Sequence, residues 1–193
     1  MLRSGLTRVL PIQINFVRTA LVSVALLSGM SAHADGQLSS SAIASSGIEA
    51  GLPLADTVVV RKGARKLELL RNGQVLRSYR VALGLRPEGH KQFEGDYRTP
   101  EGKYLLTRRN PNSDYFLSIQ VSYPNDDDMA RARKQGLRPG GAIMIHGQPN
   151  TPRKPRDYYS NVDWTEGCIA VSNSDMVEIW LMTGPDTPIE IQP

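Results

Sequence analysis

The dipeptide Asn72-Gly73 lies between two runs in which apolar and polar residues alternate, Lys66–Leu70 and Gln74–Val81. Asn-Gly between alternating runs is the strongest short-range signal for a β-hairpin, because both residues tolerate the positive φ angles of a tight turn. We therefore expect the folded part of this chain to begin with β-strands. Three more segments have β-type composition: Lys103–Thr107, Tyr115–Pro124 and Thr187–Ile191.

Helical signals are fewer than strand signals. Asp126–Asp128 places acidic residues before a segment that ends in basic residues and Gly136, which suits the dipole of a short helix. Ser172 or Asn173 can cap a second helix that runs through Asp175–Met182. The sequence therefore predicts a mainly β fold with one or two short helices.

Residues 1–34 resemble an export signal. Arginines precede Thr19–Met30, an apolar stretch of 12 residues, and Ala32-His33-Ala34 then matches the small-x-small pattern of signal peptidase sites. This stretch is shorter than the roughly 20 residues of a membrane-spanning helix. We predict a cleavable signal peptide over residues 1–34 and a location in the periplasm or cell envelope, with an uncleaved anchor as the alternative. Residues 35–54, rich in Ser, Ala and Gly, predict a flexible lead-in to one domain over residues 55–193.

The basic character of the chain comes partly from its first 34 residues. The whole chain has 23 basic and 19 acidic residues, and three of the basic ones, Arg3, Arg8 and Arg18, lie in the predicted signal. Without them 20 basic residues face 19 acidic ones, which gives no support for nucleic-acid binding. We expect a monomer.

Cys168 is the single cysteine of the chain, so no internal disulfide can form. A lone thiol in an exported protein can be a nucleophile, a metal ligand, half of an intermolecular disulfide or an inert buried side chain. Gly167 permits a tight turn in which the N–H groups of Gly167 and Cys168 could converge, as an oxyanion hole requires. An idle exposed thiol is prone to oxidation outside the cytosol, which favours a reactive role.

A nucleophilic cysteine normally needs a base, and two histidines follow the predicted signal. His90 lies in a polar loop, which predicts a surface residue. His146 ends a short apolar strand predicted over Ala142–Ile145, and Gly147 follows it. A strand that presents one side chain and then ends is how a rigid scaffold positions a catalytic group. His146 is therefore the candidate base.

Other cysteine sites fit this sequence less well. Papain-like enzymes place Cys before His in the chain, whereas here His146 precedes Cys168. Sortases carry an arginine beyond the cysteine, and no basic residue follows Arg156. A zinc site would also need two carboxylates, for example Asp157 and Asp163. These comparisons leave a Cys–His dyad as the main hypothesis and no metal or cofactor as the expectation.

Three segments in this order, "GDYRTPEGKY" (95–104), "IMIHG" (143–147) and "DWTEGCIAV" (163–171), resemble the catalytic domain of L,D-transpeptidases of the YkuD type. The resemblance extends over about residues 55–193. Members of this family are bacterial cell-envelope enzymes. The resemblance implies their mainly β fold, a sandwich or barrel of mixed sheets with one or two short helices.

The same resemblance implies roles for individual residues. Cys168 is the nucleophile, His146 is its general base and acid, the Gly147 carbonyl orients the histidine, and Gly167 supplies an oxyanion N–H. Glu166 stands where the family signature has a second histidine, and Ala170 stands where arginine or asparagine is common. Between the dyad residues, basic side chains could meet substrate carboxylates and aromatic ones could form a wall. The candidate substrate contacts are Arg153, Lys154, Arg156, Tyr158, Tyr159, Trp164, Thr165 and Glu166.

The implied reaction is acyl transfer through a thioester on a peptidoglycan stem tetrapeptide, with release of D-alanine. An amine from a second stem, from an envelope lipoprotein or from a D-amino acid then takes the acyl group. If water takes it instead, the same site is a hydrolase. A non-catalytic envelope-binding module is the remaining alternative.

Overall fold

The structure is a computed structural model that describes residues 51–193. The signal peptide predicted over residues 1–34 and the lead-in up to residue 50 lie outside the described residues. Residues 51–54, the end of the predicted lead-in, have no regular secondary structure. No helix within residues 51–193 is long and apolar enough to cross a membrane.

Strands dominate the described part of the chain. They are β1 (Thr57–Arg61), β2 (Lys66–Arg71), β3 (Gln74–Arg80), β4 (Gly102–Ser113), β5 (Phe116–Val121), β6 (Met144–His146), β7 (Ile169–Ala170) and β8 (Pro188–Gln192). They form one mixed eight-stranded sheet in the order β3-β2-β1-β8-β4-β5-β6-β7. The pairings of β1 with β8 and of β6 with β7 are parallel, and the others are antiparallel. The predicted mainly β class is confirmed.

Three short helices accompany the sheet: α1 (Asp126–Lys134), α2 (Arg156–Asn161) and α3 (Asn173–Met182). The Asn125 side chain caps α1 and Ser172 caps α3 by accepting the Asp175 N–H, so both predicted helices are confirmed. Helix α2 was not expected from the sequence. Its six residues follow Pro155 and have no side-chain cap, so they offer little local signal.

The predicted hairpin is present between β2 and β3. Asn72 and Gly73 both have positive φ angles, 51° and 75°, and Arg71 pairs with Gln74 across the turn. Positive φ at both central residues is the geometry that matches the twist of the flanking strands.

β4 is longer than the strand predicted over Lys103–Thr107. Its first residues, Gly102–Leu105, pair with β8, and the rest, from Leu106 onward, pairs with β5 through two shifts of register. Such irregularities insert residues without a partner and disturb the alternation of side chains. The second half of β4 therefore has no clear strand pattern in the sequence, which explains why the predicted strand ends at Thr107 rather than at Ser113.

After β3, which is one edge strand of the sheet, the chain crosses to the opposite edge strand, β7. The Ala82 N–H donates to the Ala170 carbonyl and the Ala170 N–H to the Ala82 carbonyl, both at 2.8 Å. Two residues on, Gly84 pairs with Thr165. The edge at β7 is thus covered by residues 82–84, and the sheet approaches the closed arrangement that the resemblance implies.

Candidate active site

The parallel pairing of β6 and β7 brings the histidine and the cysteine together. Ile145 pairs with Ile169, both are fully buried, and burial of each side chain contributes about 1.5–3 kcal/mol. Successive side chains of a strand point to opposite faces of the sheet. His146 follows Ile145 and Cys168 precedes Ile169, so His146 and Cys168 both lie on the face opposite the two isoleucines. His146 and Cys168 accordingly line one cleft of about 450 Å³.

The walls of this thiol cleft come from four parts of the chain. They are the second half of β4 with the turn that follows it, β5, β6 with the residues before it, and the segment before β7. The lining residues are Asn110, Asn112, Ser113, Asp114, Tyr115, Ser118, Ala142, Met144, His146, Trp164, Thr165, Glu166 and Cys168.

His146 is buried, with 4% of the residue exposed, and its ring is hydrogen-bonded. Its Nδ1 lies 2.7 Å from the Gly147 carbonyl oxygen, so Nδ1–H donates this bond and Nε2 carries the free lone pair. Burial lowers the pKa of His146 to about 4, and the Gly147 carbonyl acts in the opposite direction. At neutral pH the ring is therefore uncharged and able to accept a proton.

The Cys168 thiol is half-buried and donates to the Ala142 carbonyl at 3.6 Å. Within residues 51–193, no hydrogen bond joins this sulfur to His146. Burial raises the pKa of the thiol, the Met144 N–H lowers it, Glu166 raises it and Lys91 lowers it. The site therefore holds a thiol and a neutral imidazole, and a thiolate there would need a base to take the proton.

The predicted oxyanion donors differ in their hydrogen bonds. The Gly167 N–H donates to the Thr165 hydroxyl oxygen at 3.1 Å, and that hydroxyl donates to the Cys168 carbonyl at 2.8 Å. Thr165 is buried, so its hydroxyl fixes the turn rather than facing a substrate. In this conformation the Gly167 N–H is already bonded, so it is not the free oxyanion donor that was predicted. The Cys168 N–H, the other predicted donor, has no acceptor among the described residues.

The backbone around Gly167 is packed too closely for a larger residue. Replacing Gly167 by alanine is expected to lower the free energy of unfolding by about 2–4 kcal/mol. Its φ is +130°, and a Cβ atom there would lie 2.7 Å from the Arg98 carbonyl oxygen and 3.3 Å from Ile143 Cδ1. Urea unfolding of both proteins measures the difference.

Gly95 supplies the matched control for this substitution. It also has a positive φ, +82°, but a Cβ atom there meets nothing within 4 Å. Gly95→Ala should cost only the conformational penalty of about 1–2 kcal/mol. Equal losses in the two variants would show that the close contact at Gly167 has no energetic weight.

Two aromatic rings stand beside the histidine. The Tyr115 ring centroid lies 4.7 Å from that of His146, and Trp164 lies 5.6 Å from His146 and 5.8 Å from Tyr115. Trp164 was predicted as a wall residue, and its Nε1–H donates to the Tyr159 carbonyl at 3.2 Å. Tyr115 was missed. It reaches the site through the pairing of β5 with β6, where Ser118 faces His146, and nothing local in the sequence shows this pairing.

Tyr115 and Trp164 also border a second cleft of about 520 Å³, here called the loop cleft. Of the predicted substrate contacts, Arg153 and Tyr159 line this loop cleft and do not line the thiol cleft. The buried Tyr159 hydroxyl accepts the N–H groups of Arg153 and Lys154, which holds the loop in place. The remaining lining residues are Asp114, Pro149, Asn150 and Thr151.

Three other predicted contacts, Lys154, Arg156 and Tyr158, line neither cleft. Arg156 is exposed at the start of α2, and Lys154 lies over the Tyr158 ring at 5.9 Å. Glu166 is exposed and lines the thiol cleft.

His90 is not the surface residue that was predicted. It is half-buried, with Nε2 3.0 Å from Asp128 Oδ1 and Nδ1 2.8 Å from the Glu101 carbonyl. The polar sequence around it gave no sign that Asp128 of α1 and Glu101, the residue before β4, would enclose it.

Asp163, one of the two carboxylates that a zinc site would need, is engaged by other groups. Asp163 pairs with Arg65 at 2.8 Å and accepts the Leu83 N–H. Over residues 51–193, no group of three or more His, Cys, Asp or Glu side chains is placed to share a metal ion.

The buried neutral state of His146 predicts a pH effect on stability. A histidine in an unfolded chain titrates near 6.5, against about 4 in the fold, so the unfolded chain binds more protons between these values. The free energy of unfolding should therefore fall by about 2–3 kcal/mol as the pH drops from 7 to 4.5. Urea unfolding at both pH values measures this fall. His146→Gln should show a smaller fall, and parallel behaviour of the two proteins would contradict the prediction.

The fold and the site together define a class: a mainly β domain with a Cys–His pair in one cleft. The profile of the L,D-transpeptidase catalytic domain family (YkuD) matches residues 55–191. The chain belongs to this family.

Known relatives agree with this assignment. The chain is 31% identical over 129 residues to YafK of Escherichia coli K12, whose own assignment as an L,D-transpeptidase is provisional; the match covers 62% of this chain and 45% of YafK. The fold is similar to that of the helical cell shape determining protein Pgp2 from Campylobacter jejuni, with a TM-score of 0.54 and 27% identity over 70% of this chain and 46% of Pgp2. A point mutant of Pgp2 gives a TM-score of 0.55 and covers 73% of this chain and 49% of that one. This chain thus spans about half the length of these relatives.

Proposed function

We propose that this protein is a cysteine L,D-transpeptidase that acts on peptidoglycan stem tetrapeptides. One observation carries the proposal: Cys168 and His146 line the same cleft, and the Gly147 carbonyl holds Nδ1 so that Nε2 can take a proton. The family assignment supports the chemistry of acyl transfer. The substrate and the acceptor are the new part of the proposal.

The first half-reaction forms a thioester. The Cys168 thiol gives its proton to Nε2 of His146, and the sulfur attacks the carbonyl that precedes the terminal D-alanine. The Cys168 N–H stabilises the oxyanion. The C–N bond to D-alanine then breaks, and His146 returns the proton to the departing amine. Neutral His146 suits this role, because an imidazolium could not accept the proton.

The second half-reaction transfers the acyl group. An acceptor amine attacks the thioester carbonyl, the C–S bond breaks, and the proton of the amine returns through His146 to the sulfur. The acceptor is a second stem peptide or an envelope lipoprotein. The loop cleft is the proposed acceptor side, because Arg153 could meet a carboxylate there while Tyr115 and Trp164 separate it from the thiol.

Hydrolysis of a thioester is the second candidate function. Glu166 is an exposed carboxylate that lines the thiol cleft, so it could hold a water near the thioester. Water would then replace the amine and release the acyl group as a carboxylate.

The proposed place of action is the periplasm, where the predicted signal peptide would deliver a monomer to the cell wall. Pgp2 is described as a determinant of helical cell shape. By analogy, the proposed cellular role is a contribution to cell shape through the peptidoglycan.

The test is incubation of the purified protein with a tetrapeptide muropeptide, read by mass spectrometry. Transfer predicts free D-alanine together with dimers that carry the new cross-link. Release of D-alanine without dimers, also in the presence of lipoprotein acceptor, would favour the hydrolase. No product with any of these substrates, in a protein shown to be folded, would overturn the proposal.

A further inference from the structure

The peptide group between Gly147 and Gln148 is hydrogen-bonded at both ends. Its carbonyl oxygen accepts Nδ1–H of His146 at 2.7 Å, and its N–H donates to the side-chain Oδ1 of Asn173 at 2.8 Å. Both bonds belong to one conjugated unit, and hydrogen bonds in such a chain polarise one another. An acceptor at the N–H end therefore makes the carbonyl oxygen a stronger acceptor. Asn173 is thus connected to the candidate base through a single peptide group.

The preceding peptide group, between His146 and Gly147, is bonded at both ends as well. The His146 carbonyl accepts the Val171 N–H at 2.9 Å, and the Gly147 N–H donates to the Leu117 carbonyl at 3.2 Å. These two bonds join main-chain atoms and fix the start of the turn. The bond to Asn173 is made by a side chain instead, so a substitution can remove it without changing the main chain or the histidine.

The Asn173 side chain also packs against the turn. A Cβ atom on Gly147 would lie 2.6 Å from Asn173 Oδ1, 2.9 Å from Phe116 Cβ and 3.1 Å from the Tyr115 carbonyl oxygen. Gly147 is buried, so its backbone lies closely enclosed between the start of α3 and the turn that joins β4 to β5. Asn173 therefore forms one wall of the space in which the orienting carbonyl sits.

The position of Asn173 is determined by α3. Ser172 caps this helix by accepting the Asp175 N–H at 3.1 Å, and Asn173 is its first residue. Met176 and Ile179 of the same helix are fully buried and anchor it in the core. Asn173 itself is exposed, so its side chain reaches the turn because of where the helix begins.

The proton on the His146 ring decides whether the ring can act as a base. A neutral histidine carries its proton on Nδ1 or on Nε2, and only the first tautomer leaves Nε2 free to accept a proton. The bond from Nδ1–H to the Gly147 carbonyl selects this tautomer. With the proton on Nε2, the Nδ1 lone pair would face the carbonyl oxygen and the two would repel each other. A stronger acceptor at this carbonyl increases the preference for the Nδ1–H tautomer.

We propose that Asn173 is a positioning residue for His146. Its Oδ1 holds and polarises the peptide group between Gly147 and Gln148, and this peptide group keeps His146 in the Nδ1–H tautomer with Nε2 unprotonated. The inference rests on the proposed function only in taking His146 as the base for Cys168. The tautomer of the ring is a property of the free protein and does not depend on the identity of the substrate.

NMR of the free, ¹⁵N-labelled protein tests the inference without any substrate. Long-range ¹H–¹⁵N spectra distinguish the two tautomers, and the signals that His146→Gln lacks belong to His146. At pH 7 this ring is uncharged, and the Nδ1–H tautomer should predominate in the unmodified protein. In Asn173→Ala the ratio of Nδ1–H to Nε2–H should fall about three- to tenfold, because the bond that polarises the carbonyl is lost.

Two variants of similar size separate hydrogen bonding from packing. Asn173→Asp keeps an oxygen acceptor in the same place, so its ratio should equal or exceed that of the unmodified protein. Asn173→Leu has no acceptor, so its ratio should fall as in Asn173→Ala, and it also replaces Asn173→Ala if that variant does not fold. A role in packing alone predicts that Asn173→Leu and Asn173→Asp behave alike.

Ser172→Ala is the matched control, since it removes the cap of the same helix and leaves the Asn173 side chain in place. It should lower the urea midpoint but leave the ratio of tautomers unchanged. Far-UV circular dichroism checks that each variant is folded. An unchanged ratio in folded Asn173→Ala, or an equal fall in Ser172→Ala, would overturn the inference.

The consequence for catalysis is measured separately. With a tetrapeptide donor, thioester formation should be about tenfold slower in Asn173→Ala and close to the unmodified rate in Asn173→Asp. A lower ratio of tautomers without a slower reaction would overturn the role of Asn173 in proton transfer. If the unmodified protein forms no thioester, the proposed function fails, whereas the NMR spectra still decide whether Asn173 sets the tautomer.

Discussion

Replacing Cys168 by alanine is expected to abolish the release of D-alanine and the formation of dimers, a loss of at least about 10³-fold. The thioester route needs the sulfur, and the chain has no second cysteine to replace it. The fold should persist, because Ile145 and Ile169, rather than the thiol, anchor the paired strands.

Mass spectrometry of the intact protein gives the direct measurement. Unmodified protein mixed with a tetrapeptide donor should gain the mass of the donor minus D-alanine, and Cys168→Ala should gain nothing. Cys168→Ser is the matched control for shape, since it keeps a hydroxyl in the same place but is a far weaker nucleophile in a site built for a thiol. Full activity of folded Cys168→Ala would exclude thioester chemistry and favour a different site.

Replacing His146 by glutamine is expected to reduce the rate of acylation by about 10²–10⁴-fold. Burial raises the pKa of the Cys168 thiol, so little thiolate is present at neutral pH and the base must supply the route for the proton. Raising the pH should therefore recover part of the lost rate in His146→Gln. A single-turnover assay of thioester formation between pH 6 and 10 measures both effects.

His90→Gln is the matched control for this prediction. It removes the other described histidine, which lies outside the lining of the thiol cleft. Its acylation rate should stay within a few-fold of the unmodified protein. A His146→Gln variant that is as fast as His90→Gln at pH 7 would mean that another group takes the proton.

The resting geometry bears on how these experiments should be interpreted. The Cys168 thiol bonds to the Ala142 carbonyl and not to His146, so proton transfer to His146 in the proposed reaction requires that this bond breaks first. The rate of thioester formation would therefore include this rearrangement as well as the proton transfer.

Local patterns in the sequence were sufficient for several features. Asn72-Gly73 predicts its hairpin because the turn geometry depends on two adjacent residues. Ser172 predicts the start of α3 for the same reason, since a cap contacts residues only two or three positions away. The lone cysteine and the strand-ending histidine stand out as single residues with distinctive chemistry, and the family motifs around them are contiguous.

Only the tertiary structure decided which residues surround that pair. Tyr115 lies beside His146 because β5 pairs with β6, and the Arg98 carbonyl lies against Gly167 because the segment before β4 packs on the turn before Cys168. The Gly167 N–H is engaged by Thr165, which no spacing rule revealed. These relations join residues far apart in the chain, and their geometry follows from strand register and close packing. By itself the sequence singled out the proposed nucleophile and its proposed base, because each is a single residue with distinctive chemistry, while long-range contacts determined which side chains surround them.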